Sequence, residues 1–181
     1  MAERSRAELE LRLLGPVEAR VDGRPVPLGP RKQRLVLAIL ALEANRQVPV
    51  ERLVDLVWPD EPPRTATHAV RVCVSGLRAA LAGTLRAAGG LDIQTRGTGY
   101  LLAVDPSTVD AHRFRALVGA AREAADDTRR LALLEQALAL WTGPALAGTA
   151  PPEIPTCGER VHGAIADLLV VEDRAHLHAE G

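Results

Sequence analysis

Residues 62–104 hold five arginines, Arg64, Arg71, Arg78, Arg86 and Arg96, against a single acid, Asp92. Guanidinium groups so placed can do two kinds of chemistry. They pair with phosphate oxygens, and their planar fork can donate two bonds to the edge of a guanine. At about 100° per residue, Arg64, Thr67, His68, Arg71, Ser75 and Arg78 fall on one stripe of a helix. Thr67 and Ser75 are small enough to let that helix come close to a groove. A solvated basic face on an ordinary amphipathic helix has the same pattern, so the stripe must be judged by the elements around it.

Those elements are legible. Val70, Val74, Leu77 and Leu81 follow i, i+4, i+7, i+11 and form an apolar seam beside the basic stripe, with Cys73 at its edge. Leu91 to Arg96 alternates apolar and polar, Gly97-Thr98-Gly99 makes a tight turn, and Tyr100 to Val104 reads as the return strand. Arg96 and Thr98 would stand at the tip of this hairpin, where they can reach a minor groove or a phosphate. A plain surface hairpin that only closes a sheet is the bland alternative.

Upstream, Leu9 to Leu14 and Val17 to Val21 alternate across the break at Gly15-Pro16. Asp22-Gly23 is a turn before Val26-Pro27-Leu28, so a small antiparallel sheet is predicted. Pro30 suits the first turn of a helix. That helix runs from Arg31 to Ala44 and is apolar nearly all round, hence buried. Val50, Leu53, Val54 and Val57 mark a short second helix ending near Trp58-Pro59, and Pro62 and Pro63 set the turn into the basic helix. Sheet, three helices and hairpin, in that order, make a winged helix-turn-helix.

Asp105 to Thr108 reads as a linker and Asp110 as the N-cap of a helix carrying Phe114, Leu117, Val118 and Ala121. A second helix runs from Thr128 to Trp141, with Leu131, Leu134, Leu138 and Trp141 on one face, and stops at Gly143-Pro144. After a loop with Pro151, Pro152 and Pro155, a third is expected from Gly158 to Ala179, carrying Val161, Ile165, Leu168 and Leu169. No clean repeat of about 34 residues shows, so periodicity alone does not predict a solenoid. The expected fold is mainly α with small β-sheets, divided into a winged-helix domain over 9–104 and a helical domain over 109–181.

Charge supports that division. Through Val104 there are 15 basic and 11 acidic side chains, and beyond it 7 and 12, which together make the net −1 of the 181 residues. A mildly basic half precedes an acidic one, and a few phosphate contacts per protomer suit that balance. Lys32 is the only lysine, so the arginine count also reflects a strong compositional bias. The four aromatics, Trp58, Tyr100, Phe114 and Trp141, are too few for stacking along single-stranded nucleic acid.

Other chemistry is weakly represented. Gly29 to Gln33 lacks the spacing of a phosphate-binding loop. Cys73 and Cys157 have no metal spacing, and Cys73 reads as a small buried hydrophobe. His112, His162, His176 and His178 read as surface residues, with no acid or cysteine cluster around them. No nucleophile-base constellation is visible, so no enzyme, cofactor or metal is expected. The longest apolar run, Leu35 to Leu42, is too short for a membrane span. The N-terminus lacks the apolar stretch of a signal peptide. A reduced cytoplasmic protein is expected.

Two segments carry a resemblance. Leu77-Arg78 followed by Leu81, and Thr95-Arg96-Gly97-Thr98-Gly99-Tyr100-Leu101, resemble the recognition-helix ending and the wing of OmpR-type output domains. Gly76 stands where that family often has a basic residue. Trp58-Pro59-Asp60-Glu61-Pro62-Pro63 with Val74-Ser75-Gly76-Leu77-Arg78 resembles, more narrowly, the Streptomyces antibiotic regulatory protein family. Ala132 to Leu146 is similar to the start of the bacterial transcriptional activation domain, a tetratricopeptide-like stack. The resemblance implies a sequence-specific, DNA-binding transcriptional activator in the cytoplasm, associated with the nucleoid. It implies binding to promoter direct repeats as a homodimer, recruitment of RNA polymerase through its sigma subunit, and control of antibiotic biosynthesis genes. The residues expected to touch DNA are Arg64, Thr67, His68, Arg71, Ser75 and Arg78 on the helix and Arg96 and Thr98 on the wing. Two alternatives are a helical protein-interaction module and a response-regulator output domain. The second is disfavoured because no receiver precedes the winged helix. The family usually continues through further helices, and an unpacked last helix would favour pairing with another chain.

Overall fold

The computed structural model describes residues 8–88 and 91–149. The third helix expected over 158–179 lies outside them. Asp22 and Gly23 take positive φ, 50° and 75°, and this turn folds β2 (Glu18–Val21) back onto β3 (Arg24–Val26). With β1 (Leu9–Arg12) they form an antiparallel sheet in the order β1-β2-β3, with Leu9 opposite Val21 and Ala19 opposite Val26. The alternation seen in the sequence is the alternation of burial: Leu9, Leu11, Ala19 and Val21 face inward.

The core is organised on α1 (Arg31–Leu42), whose residues from Leu35 to Leu42 are all buried. α2 (Val50–Val57) adds Leu53 and Val57. α3 (Ala66–Ala88) lays Val70, Val74, Leu77 and Leu81 against them, each at most 4% exposed. Gly76 leaves room on α3 for the Gln33 side chain of α1. A Cβ there would lie 2.3 Å from Oε1 of Gln33, a buried side chain whose amide donates to the Leu28 carbonyl. β5 (Leu91–Arg96) and β6 (Gly99–Val104) form the expected hairpin. One strand escaped the sequence reading: β4 (Gln47–Pro49) pairs with β6 and completes a sheet ordered β4-β6-β5. Three residues are too few to show a period.

The expected linker is instead a tight single 3-10 turn, Pro106–Thr108, in which the Asp105 carboxylate accepts from Ser107 N–H. Val109 then bridges to Leu11, and α4 (Asp110–Glu123) begins. Asp110 does not cap this helix. The capping position is Val109, and the Asp110 side chain, 2% exposed, is turned away to accept hydrogen bonds from the backbone N–H groups of Leu13 and Leu14 at 2.8–3.0 Å. That also explains why the first strand stops at Arg12: the next two amides leave the ladder for a carboxylate. His112, expected at the surface, is half-buried, its Nε2 2.9 Å from the Ala41 carbonyl at the end of α1. Arg113 pairs with Glu10 of β1 at 3.0 Å.

α5 (Asp127–Leu138) starts from a true side-chain cap, Asp126, which accepts from the N–H groups of Thr128 and Arg129. α5 packs on α4, and Trp141 meets Phe114 edge-on with ring centroids 5.8 Å apart. The chain then returns along the first sheet: Thr142 N–H donates to Leu14, Leu146 N–H to Leu13 and Ala147 N–H to Gly15. Residues up to Thr149 thus belong to one compact unit. No described helix is long and apolar enough to cross a membrane.

Asp110→Ala would strand two buried amides, which should destabilise the fold by about 2–4 kcal/mol in urea denaturation. Burial raises the Asp110 carboxyl above its ordinary 3.8, against the opposing backbone hydrogen bonds. Its protonated form is therefore favoured by folding. The stability gap between wild type and Asp110→Ala should widen as pH falls through the folded value toward 3.8. A gap that narrows in acid would contradict this.

Candidate nucleic-acid interface

α3 is aimed by its seam. With Val70, Val74, Leu77 and Leu81 inward, the side chains of Thr67, His68, Arg71, Ser75 and Arg78 are all exposed. Arg64 lies exposed in the turn before the helix, where Ala66 N–H donates to the Pro63 carbonyl. On the wing, Arg96 and Thr98 are exposed at the hairpin tip as expected. Gly97 supplies the positive φ of the turn, +49°. Gly99 must lack a side chain, because a Cβ would lie 2.3 Å from the Val48 carbonyl oxygen.

The wing is held at both ends. Asn45 exchanges side-chain hydrogen bonds with the backbone of Val104, and Val50 N–H donates to the Thr98 carbonyl at 3.1 Å. On its other edge Arg78 reaches across from α3. Its Nε donates to the Ile93 carbonyl at 2.9 Å and its terminal nitrogen to Thr95 Oγ1 at 3.0 Å, with the guanidinium 5.9 Å from the Tyr100 ring centroid. Arg96 donates to Gln94 Oε1 at 2.8 Å within the strand. Helix stripe and wing tip are thus parts of one connected surface.

Val72 is a residue the sequence reading passed over. It is 55% exposed on α3, on the side facing away from the seam. Its position opposite Val70 and Val74 on the helical wheel was the available signal. Cys73 is half-buried, and burial pushes its thiol above the ordinary value. No group of three or more histidines, cysteines and acids able to hold a metal occurs among the described residues.

Residues 23–102 match the family described as transcriptional regulatory protein, C terminal, and residues 109–180 match the bacterial transcriptional activator domain. In both segments the chain is similar to regulators of the Streptomyces antibiotic regulatory protein family. It is 37% identical over 162 residues to the transcriptional regulator RedD of Streptomyces coelicolor, covering 87% of this chain and 44% of RedD. It is 32% identical over 145 residues to the regulatory protein DnrI of Streptomyces peucetius, covering 76% and 53%. The solved structure of Mycobacterium tuberculosis EmbR, in complex with a low-affinity phosphopeptide, superposes with a TM-score of 0.73 at 31% identity, over 92% of this chain and 44% of that one. The chain therefore spans about half the length of the relatives it matches, or less.

The Gly76 contact gives a test of how α3 is seated. Gly76→Ala should destabilise the fold by about 1 kcal/mol, because displacing Gln33 outweighs the gain in helix propensity. In a Gln33→Ala background the same change should stabilise by about 1 kcal/mol. Thermal unfolding of the four proteins reads both, and two effects of equal sign would show that Gln33 does not set the spacing.

Proposed function

We propose that this regulator binds double-stranded DNA sequence-specifically and activates transcription from it. The observation that carries the proposal is the continuous exposed surface from α3 to the wing tip, joined across Arg78 and Thr95. α3 would enter the major groove with Arg71 and Ser75 toward base edges, and Val72 would offer its methyls to a thymine methyl. Arg64, Thr67 and His68 would meet phosphates beside the first turn of α3. Arg96 and Thr98 would reach the next minor groove or its backbone. Most of these contacts would be to phosphate, with bases read by two or three.

So few contacts give one protomer modest affinity. A homodimer lying side by side on promoter direct repeats would gain from the second site without any new chemistry. The relatives, named as transcriptional regulators, support the regulatory role. Recruitment of RNA polymerase through its sigma subunit, and control of secondary-metabolite genes from a nucleoid-associated cytoplasmic position, extend the same proposal. The helical half over 109–181 would begin a tetratricopeptide-like stack, beside a DNA-binding domain over 9–104.

One observation favours a protein-contact role for the helical half as well. Leu131, Leu134, Leu138 and Trp141 form an exposed row, with Leu131 at 59% and Leu138 at 65%.

Fluorescence anisotropy on promoter-derived duplexes, titrated across a salt series, separates the two roles. DNA binding should weaken steeply with salt, and an apolar contact should not. Arg71→Ala should lower affinity by about tenfold or more and relax the preference for one repeat. Arg96→Ala should weaken all duplexes alike and reduce the salt slope by about one. Equal, weak binding of every duplex at low salt would sink the proposal.

A further inference from the structure

Arg78 has the charge and exposure of a DNA contact, yet its guanidinium is already engaged. β5 is an edge strand, so the carbonyls on its outer side have no strand to pair with. Arg78 Nε meets one of them, that of Ile93, at 2.9 Å, and the terminal nitrogen meets Thr95 Oγ1 at 3.0 Å. The two acceptors come from alternate residues of one strand and are met by two nitrogens of one rigid guanidinium, a geometry that the single nitrogen of a lysine does not reproduce. The Tyr100 ring, from the neighbouring strand β6, faces the same cation at 5.9 Å. Three groups of the wing therefore converge on one side chain of α3.

The opposite edge of the wing sheet is held by backbone, through β4 and the Val50–Thr98 hydrogen bond. On the β5 edge, Arg78 of α3 supplies two polar bonds to the wing. Thr95 is adjacent to Arg96, so whatever fixes Thr95 fixes the root of the side chain at the wing tip.

We infer that Arg78 is a positioning residue: it clamps the β5 edge of the wing to α3 and so sets where Arg96 and Thr98 stand relative to the helix. The inference rests on the duplex interface proposed above. Removing the clamp would leave the charge of Arg96 in place but release its position, and the affinity that depends on helix and wing engaging together would fall.

The test uses the whole chain with Arg78→Lys, Thr95→Val, Arg96→Ala and the double variant Arg78→Lys with Arg96→Ala. Arg78→Lys keeps the charge and loses the fork; Thr95→Val removes one acceptor and alters no charge, in a residue type that strands accept well. Anisotropy should show Arg78→Lys binding about tenfold more weakly, Thr95→Val losing a share of the same affinity, and the double variant no worse than Arg96→Ala alone, because coupled residues do not add. Amide exchange on the free protein should be about tenfold faster across Asp92 to Gly99 in Arg78→Lys, with the rest of the chain unchanged. Wild-type affinity in Arg78→Lys, or losses that multiply in the double variant, would overturn the clamp while leaving the duplex interface intact. If wild type itself binds no duplex preferentially, both the interface and the role given to Arg78 within it fall.

Discussion

The seam formed by Val70, Val74, Leu77 and Leu81 is the contact on which the interface depends. Each of these side chains is at most 4% exposed, and together they leave α3 one rotational setting against α1. The helix then has no freedom to choose which face it presents. Hydrophobic burial, which is non-directional in itself, becomes directional once the apolar residues are confined to one stripe. The exposure of Arg71, Ser75 and Val72 follows from it without any contribution of their own.

Asp110 plays the corresponding part for the helical half. Its carboxylate lies across a sequence separation of nearly a hundred residues from the amides it binds. Around it, Val109 bridges Leu11, Arg113 pairs with Glu10, and the segment after α5 returns to Leu13, Leu14 and Gly15. Although burial opposes it, the hydrogen bonds from Arg12 and Arg113 hold the Glu10 carboxyl below its ordinary value. The first strand thus serves two masters, a sheet on one side and a helix pair on the other, and the two halves read from composition share a core edge.

Much of this was legible in the sequence, for reasons that can be named. The seam of α3, the buried α1 and the alternation of β5 announce themselves because a long run of residues repeats one periodicity. Asp22-Gly23 and Gly97 announce themselves because few residues tolerate positive φ. What stayed hidden depends on partners far along the chain. β4 is three residues long and exists through its pairing with β6. Asp110 looks like an ordinary helix cap until Leu13 and Leu14 arrive beside it. Arg78 has the composition of a surface contact, and only the neighbouring strand shows that its nitrogens are committed. Val72 was a different kind of omission: its outward position is visible on the wheel, but an apolar residue on a basic face carries no charge to draw notice.

Gly76 carries a consequence for what α3 can become. With the Gln33 amide 2.3 Å from where its Cβ would stand, any side chain at this position must first displace Gln33. Where other OmpR-type helices often place a base, this one has traded a cation for proximity. A larger residue there would disturb the hydrogen bond from Gln33 to the Leu28 carbonyl, whereas Arg71, Val72 and Ser75, exposed on the same helix, can change without touching the packing.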